Sequence, residues 1–309
     1  MDPNFLKNNI AKTLLYYDIF SHPLKDCELF AFLPQNSMSE TEFENALHKL
    51  ASDDASIFAG KNGYYYIKPK EGSIDIRRQR ENYSKKMWKR AALVTHIIKR
   101  FPYVRCVTVT GSLSKNSSDE SSDLDFMIIT AKNRLWIART SLMLFKKIFL
   151  FNSYKYFCVN YFITEDSLEI EEKNIFTATE IAHIKATFNS DLMNEFINSN
   201  SWIKEFFPNY ILCDPRLHSP GYGINNNKSI AQGIFEFFLN GSTGSRLNEY
   251  FKKVTVNHWK KRYSQLKEEE RNHMFKSTDS VSKTHPLNMQ KKILNMYHDK
   301  LKQFNIDTD

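Results

Sequence analysis

The stretch from residue 105 to residue 130 constrains this chain more than any other. A strand-like run, Arg105-Cys106-Val107-Thr108-Val109-Thr110, meets Gly111-Ser112; after ten intervening residues the chain reads Asp123-Leu124-Asp125-Phe126-Met127-Ile128-Ile129-Thr130. Period-two alternation aims Asp123 and Asp125 at one face and Leu124 and Phe126 at the other. Two carboxylates about 7 Å apart along a strand hold a hard cation while the opposite face anchors a sheet. Glycine lets a phosphate approach the backbone, and a serine hydroxyl with the N–H groups of a following helix start offers phosphate ligands. Residues 113–122, rich in Ser, Asn, Asp and Glu, read as a short helix and turn between the two strands.

This arrangement resembles the DNA polymerase β-like nucleotidyltransferase superfamily, whose pattern is an apolar residue, Gly-Ser or Gly-Gly, a spacer near ten residues, then Asp-apolar-Asp-apolar. The resemblance covers residues 90–165. It implies that Gly111 and Ser112 contact the phosphates of a nucleoside triphosphate and that Asp123 and Asp125 bind Mg²⁺. The implied reaction moves a nucleoside monophosphate to a hydroxyl acceptor (a small molecule, an RNA end or a protein) and releases pyrophosphate. The family places a third carboxylate on a later strand; the corresponding run here, 156–163, carries Asn160 instead. An amide oxygen ligates Mg²⁺ but brings no charge and cannot accept a proton as a base. Three readings stay open: Asn160 belongs to the catalytic set as a weak ligand; Asp166 or Glu169 supplies the missing charge; or catalysis is lost and the chain is a nucleotide-sensing or nucleic-acid-binding regulator. The order of segments is also similar to a bacterial group of winged-helix-fused nucleotidyltransferases, in which the Asn-Tyr-Phe strand is usual.

Upstream, residues 9–20, 24–33 and 39–51 follow helical spacing, the last opened by a Ser39/Glu42 capping box. Two strand-like runs, 56–59 and 64–67, flank Asn62-Gly63, which supplies the positive φ angles of a tight hairpin. Three helices and a hairpin describe a winged helix-turn-helix over residues 1–70. Its usual partner is nucleic acid, entered by the third helix. Here that helix begins with Glu40, Glu42 and Glu44, which a phosphate backbone repels, so packing or protein contact is the competing role. A basic amphipathic helix over 74–101 links this module to the strands, giving a core at 71–172.

The segment 173–309 reads as helical: 175–188, 191–207, 230–239, 244–263 and a final helix, with a connection at 208–228. The predicted fold class is thus α/β, a small mixed-sheet nucleotidyltransferase core between a winged helix-turn-helix and a C-terminal helical domain. His183 reads as a core histidine and His285 as a candidate for the acceptor site. The helix at 244–263 interleaves Arg246, Lys252, Lys253, His258, Lys260, Lys261 and Arg262 with Tyr250, Trp259 and Tyr263. That pattern serves a nucleic acid strand, or simply aromatics facing a core and cations facing water.

The net charge of +8 favours polyanionic partners without choosing among them. Its short basic runs, among them Arg77-Arg78-Gln79-Arg80, are also what a solvated helix face looks like. Four scattered cysteines suggest neither a zinc cluster nor a disulfide framework, and reduced thiols are expected. The most apolar long stretch, 135–151, contains Arg139, Lys146 and Lys147, which is wrong for a membrane span, so it reads as a soluble amphipathic helix. The expectation is a cytoplasmic protein without membrane insertion.

Overall fold

The computed structural model describes residues 3–34, 38–151, 153, 155–211, 230–284 and 289–307. Helices α1 (Pro3–Asp18), α2 (Asp26–Ala31) and α3 (Glu40–Ala51) precede a hairpin of β1 (Phe58–Lys61) and β2 (Tyr64–Ile67). Ser39 caps α3 in the expected reciprocal box with Glu42. Asn62 and Gly63 turn the hairpin with φ of 54° and 77°, both in the left-handed region that such a two-residue turn requires. The chain then runs through α4 (Ser73–Ile98), β3 (Val104–Val109), α5 (Gly111–Ser114), β4 (Asp125–Thr130), α6 (Leu135–Phe149) and β5 (Cys158–Thr164). There follow α7 (Ile175–His183), β6 (Lys185–Phe188), α8 (Ser190–Ser199) and a 3₁₀ turn (Ser201–Glu205). Past the undescribed residues come α9 (Ile230–Phe238), α10 (Gly241–Arg262), α11 (Glu268–Met274), β7 (Val281–Lys283) and α12 (Met289–Gln303).

Five strands form one mixed sheet in the order β6-β3-β4-β5-β7. Only the β4–β5 pair is parallel; α6 makes the crossover that a parallel pair requires. Alternation along the strands divides the apolar side chains between two layers. Cys106, Met127, Ile129 and Ile163 pack with α1, α2, α3, α7, α8 and α12. Val107, Val109, Phe126, Ile128 and Phe162 pack with α4 and α6 on the other side, and α10 lies over α6. The architecture is α/β, as its alternating and helical patterns predict.

Segment 173–309 departs from the helical expectation. The helix expected over 175–188 ends at His183; Ile184 turns extended (ψ 138°), and Lys185–Phe188 becomes an edge strand on β3. The free edge of β3 offers backbone partners that a helical continuation would leave unmet. Thr187 adds to the attachment, its hydroxyl donating to the Val107 carbonyl at 3.1 Å. The helix expected over 191–207 is broken at Asn200, whose buried amide accepts from the Ile170 N–H (2.8 Å) and donates to the Leu168 carbonyl (2.8 Å). Strand β7, also unexpected, covers the outer edge of β5. Among the described residues no helix is long and apolar enough to cross a membrane.

Candidate functional site

The site forms where β3 ends and β4 begins. Gly111 follows β3 with φ of +66°, and a Cβ there would lie 2.7 Å from Asp125 Oδ2. Glycine is thus required twice, by the backbone angle and by the carboxylate pressed against it. The Thr110 N–H donates to the Asp125 carbonyl at 3.0 Å, fixing the first residue of β4 beside the turn. Helix α5 has only four residues, so the turn offers a hydroxyl and local N–H groups but little macrodipole. The Ser112 hydroxyl lies 3.0 Å from that of Ser118, and its carbonyl accepts from the Ser117 N–H at 2.9 Å, closing the loop on itself.

Asp123 is exposed and precedes β4; it is not a strand residue as the alternation suggests. Asp125 is partly buried. Burial pushes its carboxyl up to about 6, a contact with the Cys158 thiol pulls the other way, and repulsion from Asp123 and Glu180 adds to the rise.

Asn160 reaches the same carboxylate by an irregularity of pairing. Along β5, Asp125 faces Cys158 and Phe126 faces Val159, but Met127 faces Tyr161, so the register skips Asn160. A bulge of this kind re-aims one side chain. The Asn160 amide donates to Asp125 Oδ1 at 3.1 Å, with the Cys158 sulfur 3.7 Å away. The structure thus brings together four of the five predicted site residues, Gly111, Ser112, Asp125 and Asn160, with Asp123 at the rim close enough for its charge to act on Asp125.

The two alternative sources of a third carboxylate lie elsewhere. Asp166 follows β5 and pairs with Lys132 at 3.2 Å. Because β4 and β5 are parallel, that is beyond the far end of the strands, which themselves run roughly 16 Å from Asp125 to Thr130 at the usual rise per residue. Glu169 pairs with Lys173 at 2.8 Å. Glu180 of α7 is the acidic residue that does bear on Asp125. It accepts from Lys115 Nζ at 2.8 Å, and the same ammonium donates to the Gly111 carbonyl at 3.3 Å. Lys115 stood three residues past Gly111-Ser112 and carried a signal; Glu180, 65 positions from Lys115, carried none.

Of the remaining candidates, His183, Trp259 and Tyr263 are packing residues. His183 stacks on Phe32 (4.8 Å between centroids, 16°) and its Nδ1 lies 2.8 Å from the Thr179 carbonyl, as a core histidine should. Trp259 on α10 and Tyr263 just beyond it both stack on Phe275, at 4.9 and 4.5 Å, while Arg246, Lys253, His258, Lys260, Lys261 and Arg262 are exposed and so is the third aromatic, Tyr250. His285 and most of the 208–228 connection lie outside the described residues.

Among the described residues no three His, Cys, Asp or Glu side chains are grouped to hold a metal. Burial and repulsion from Asp123 and Glu180 favour the protonated form of Asp125, and a cation bound beside it would favour the carboxylate instead. No protein-family model, curated protein or solved structure matches this chain.

Proposed function

We propose that this protein is a Mg²⁺-dependent nucleotidyltransferase, built as an N-terminal winged helix-turn-helix followed by a nucleotidyltransferase core. The observation that carries the reading is the Gly111 turn closed against one oxygen of the Asp125 carboxylate, with Asn160 delivered to the other by a bulge. Gly111 and Ser112 seat the phosphates of a nucleoside triphosphate. Asp123 and Asp125 hold Mg²⁺, which when bound neutralises the triphosphate and polarises the attacked phosphorus. The Asn160 amide positions the Asp125 carboxylate. Joining the acceptor oxygen to the α-phosphorus breaks the α–β anhydride and releases pyrophosphate and a proton.

One observation favours a second reading, a nucleotide-sensing regulator with the catalytic step lost. Asn160 presents its N–H₂ to Asp125 and supplies no charge, which leaves two aspartates where the family places three carboxylates.

A single assay separates the two. With each labelled triphosphate, Mg²⁺ and a cell extract, a transferase labels an acceptor and releases pyrophosphate. The Asp123→Asn/Asp125→Asn double variant should lose at least about 100-fold of that rate, the size of a removed electrostatic contact to a transition state. Triphosphate binding without pyrophosphate release supports the sensor. Neither binding nor release would sink both.

A further inference from the structure

Behind the Gly111 turn, where α2, α4, α7 and β6 converge, lies a cavity of about 30 Å³. Its polar lining includes His22, Glu28, Arg77, Lys115, His183 and Lys185. None of Gly111, Ser112, Asp123, Asp125 or Asn160 lines it. We propose that this cavity is a binding site for one small tetrahedral oxyanion, of the inorganic phosphate class. The inference stands apart from the proposed transferase activity.

Unsatisfied donors point to the occupant. His22 and Lys185 are each 6% exposed. His22 Nδ1 has no hydrogen-bond partner. Among the described residues Lys185 donates no hydrogen bond and forms no close ion pair; its ammonium lies 5.8 Å from the Trp88 ring centroid and within electrostatic reach of Glu28. Buried polar groups are normally matched, and an unmatched ammonium is among the most unfavourable groups to bury.

The charge balance selects an anion. Arg77, Lys115 and Lys185 contribute three cationic groups. The lining carboxylate, Glu28, is already engaged by Arg77 through two hydrogen bonds of 2.6 and 2.7 Å. Lys115 is paired outward, to Glu180. Lys185 feels the Glu28 charge but donates no hydrogen bond to it, so the lining holds three cationic groups against one carboxylate. Burial pulls Lys185 down to about 8, and both histidines are held well below their ordinary value by burial and by the surrounding cations. The neutral His22 imidazole presents an N–H to an anion without demanding a counter-charge of its own, whereas the His183 ring proton is already donated to the Thr179 carbonyl.

Size sets the upper limit. A single water needs on the order of 10–15 Å³ of such space. The cavity therefore takes about two or three waters or one tetrahedral oxyanion, and it is too small for pyrophosphate or a nucleotide. Lys115 connects the cavity to the turn in front of it, since its ammonium donates to the Gly111 carbonyl. An anion held here draws on the lysine that steadies that turn.

Phosphate binding to the full-length protein, followed by titration calorimetry and ³¹P NMR at pH 7 and constant ionic strength in chloride, tests the assignment. The wild type should bind one phosphate saturably, sulfate should compete, and phosphate should raise the unfolding temperature. Lys185→Gln should weaken binding at least ten-fold and abolish that rise, whereas Ser112→Ala should leave binding within two-fold. His22→Phe provides a second variant that removes a lining donor while keeping an aromatic ring, and it should also weaken binding. Absence of saturable binding would mean the cavity holds water only. Binding lost in Ser112→Ala but kept in Lys185→Gln, or stronger binding of pyrophosphate than of phosphate, would place the anion at the turn. Each of these results overturns the proposal.

Discussion

At Gly111 the left-handed backbone and the Asp125 oxygen 2.7 Å from a would-be Cβ act on the same atom. Gly111→Ala should therefore lower stability by at least about 1–2 kcal/mol from backbone strain alone, read as a lower unfolding temperature. It should also cut pyrophosphate release at least ten-fold by displacing the carboxylate. Asp125 makes a second prediction. Its carboxyl is pushed up to about 6 in the folded protein, against about 4 in an unfolded chain. The folded state holds the proton more tightly, so the stabilising contribution is full below about 4 and is lost as pH rises through about 6. Asp125→Asn, which mimics the protonated acid, should unfold at a higher temperature than the wild type at pH 7 in a metal chelator. The gain is on the order of 2 kcal/mol and should vanish at pH 4; equal stability at pH 7 would refute the assignment. Gly111 and Asp125 were legible in the sequence because turn and carboxylate lie on neighbouring strands with short spacing. The aim of Asn160 was not, since a bulge is decided by pairing with β4, and Glu180 arrives from a helix whose placement no local pattern encodes.

Among the elements, α4 shows how a surface-like pattern conceals a buried anchor. In Arg77-Arg78-Gln79-Arg80 the neighbouring Arg78 and Gln79 are exposed as a solvated face should be, but Arg77 is 3% exposed. It grips both oxygens of Glu28 on α2 and also donates to Glu81 and to the Pro23 carbonyl. Burial alone would raise the Glu28 carboxyl; the charge and hydrogen bonds of Arg77 outweigh it and hold the group below its ordinary value. Arg77→Met strands that carboxylate and should destabilise by about 3–5 kcal/mol at neutral pH. The deficit should shrink toward pH 4, as Glu28 takes up a proton, and in the Arg77→Met/Glu28→Gln double variant. Chemical denaturation at the two pH values checks both, and a pH-independent loss would assign the effect to packing instead. Helix periodicity identified α1, α3, α4 and α6 because their apolar stripes are long. It failed at β6 and β7, of four and three residues, whose strand character comes from the sheet edges they cover.

Across the whole molecule, one apolar layer runs from Leu6 to Ile306, crossing the boundaries expected near residues 70 and 172. Within it α1 packs on α12, with the Tyr297 hydroxyl donating to the Lys12 carbonyl at 3.3 Å, and Asp18 accepts from both Lys70 and Lys300. Calorimetry should accordingly show a single cooperative transition, and a chain starting at residue 71 should lose it, because that apolar face is then open to water. Two well-separated transitions would show that the layer is not one cooperative unit. No local window reports such a layer, since its members are joined only by the fold. The same topology has a consequence for synthesis on the ribosome. The outer edge of β5 is covered when Val281–Lys283 pairs with it, and the pairing joins Tyr161 to Lys283. At about 5–20 residues per second, translation between these two residues lasts on the order of 10 s. Throughout that interval the nascent chain carries an open strand edge able to recruit a neighbour on the same polysome. Expression yield should therefore respond to translation rate and to chaperones that shield nascent chains.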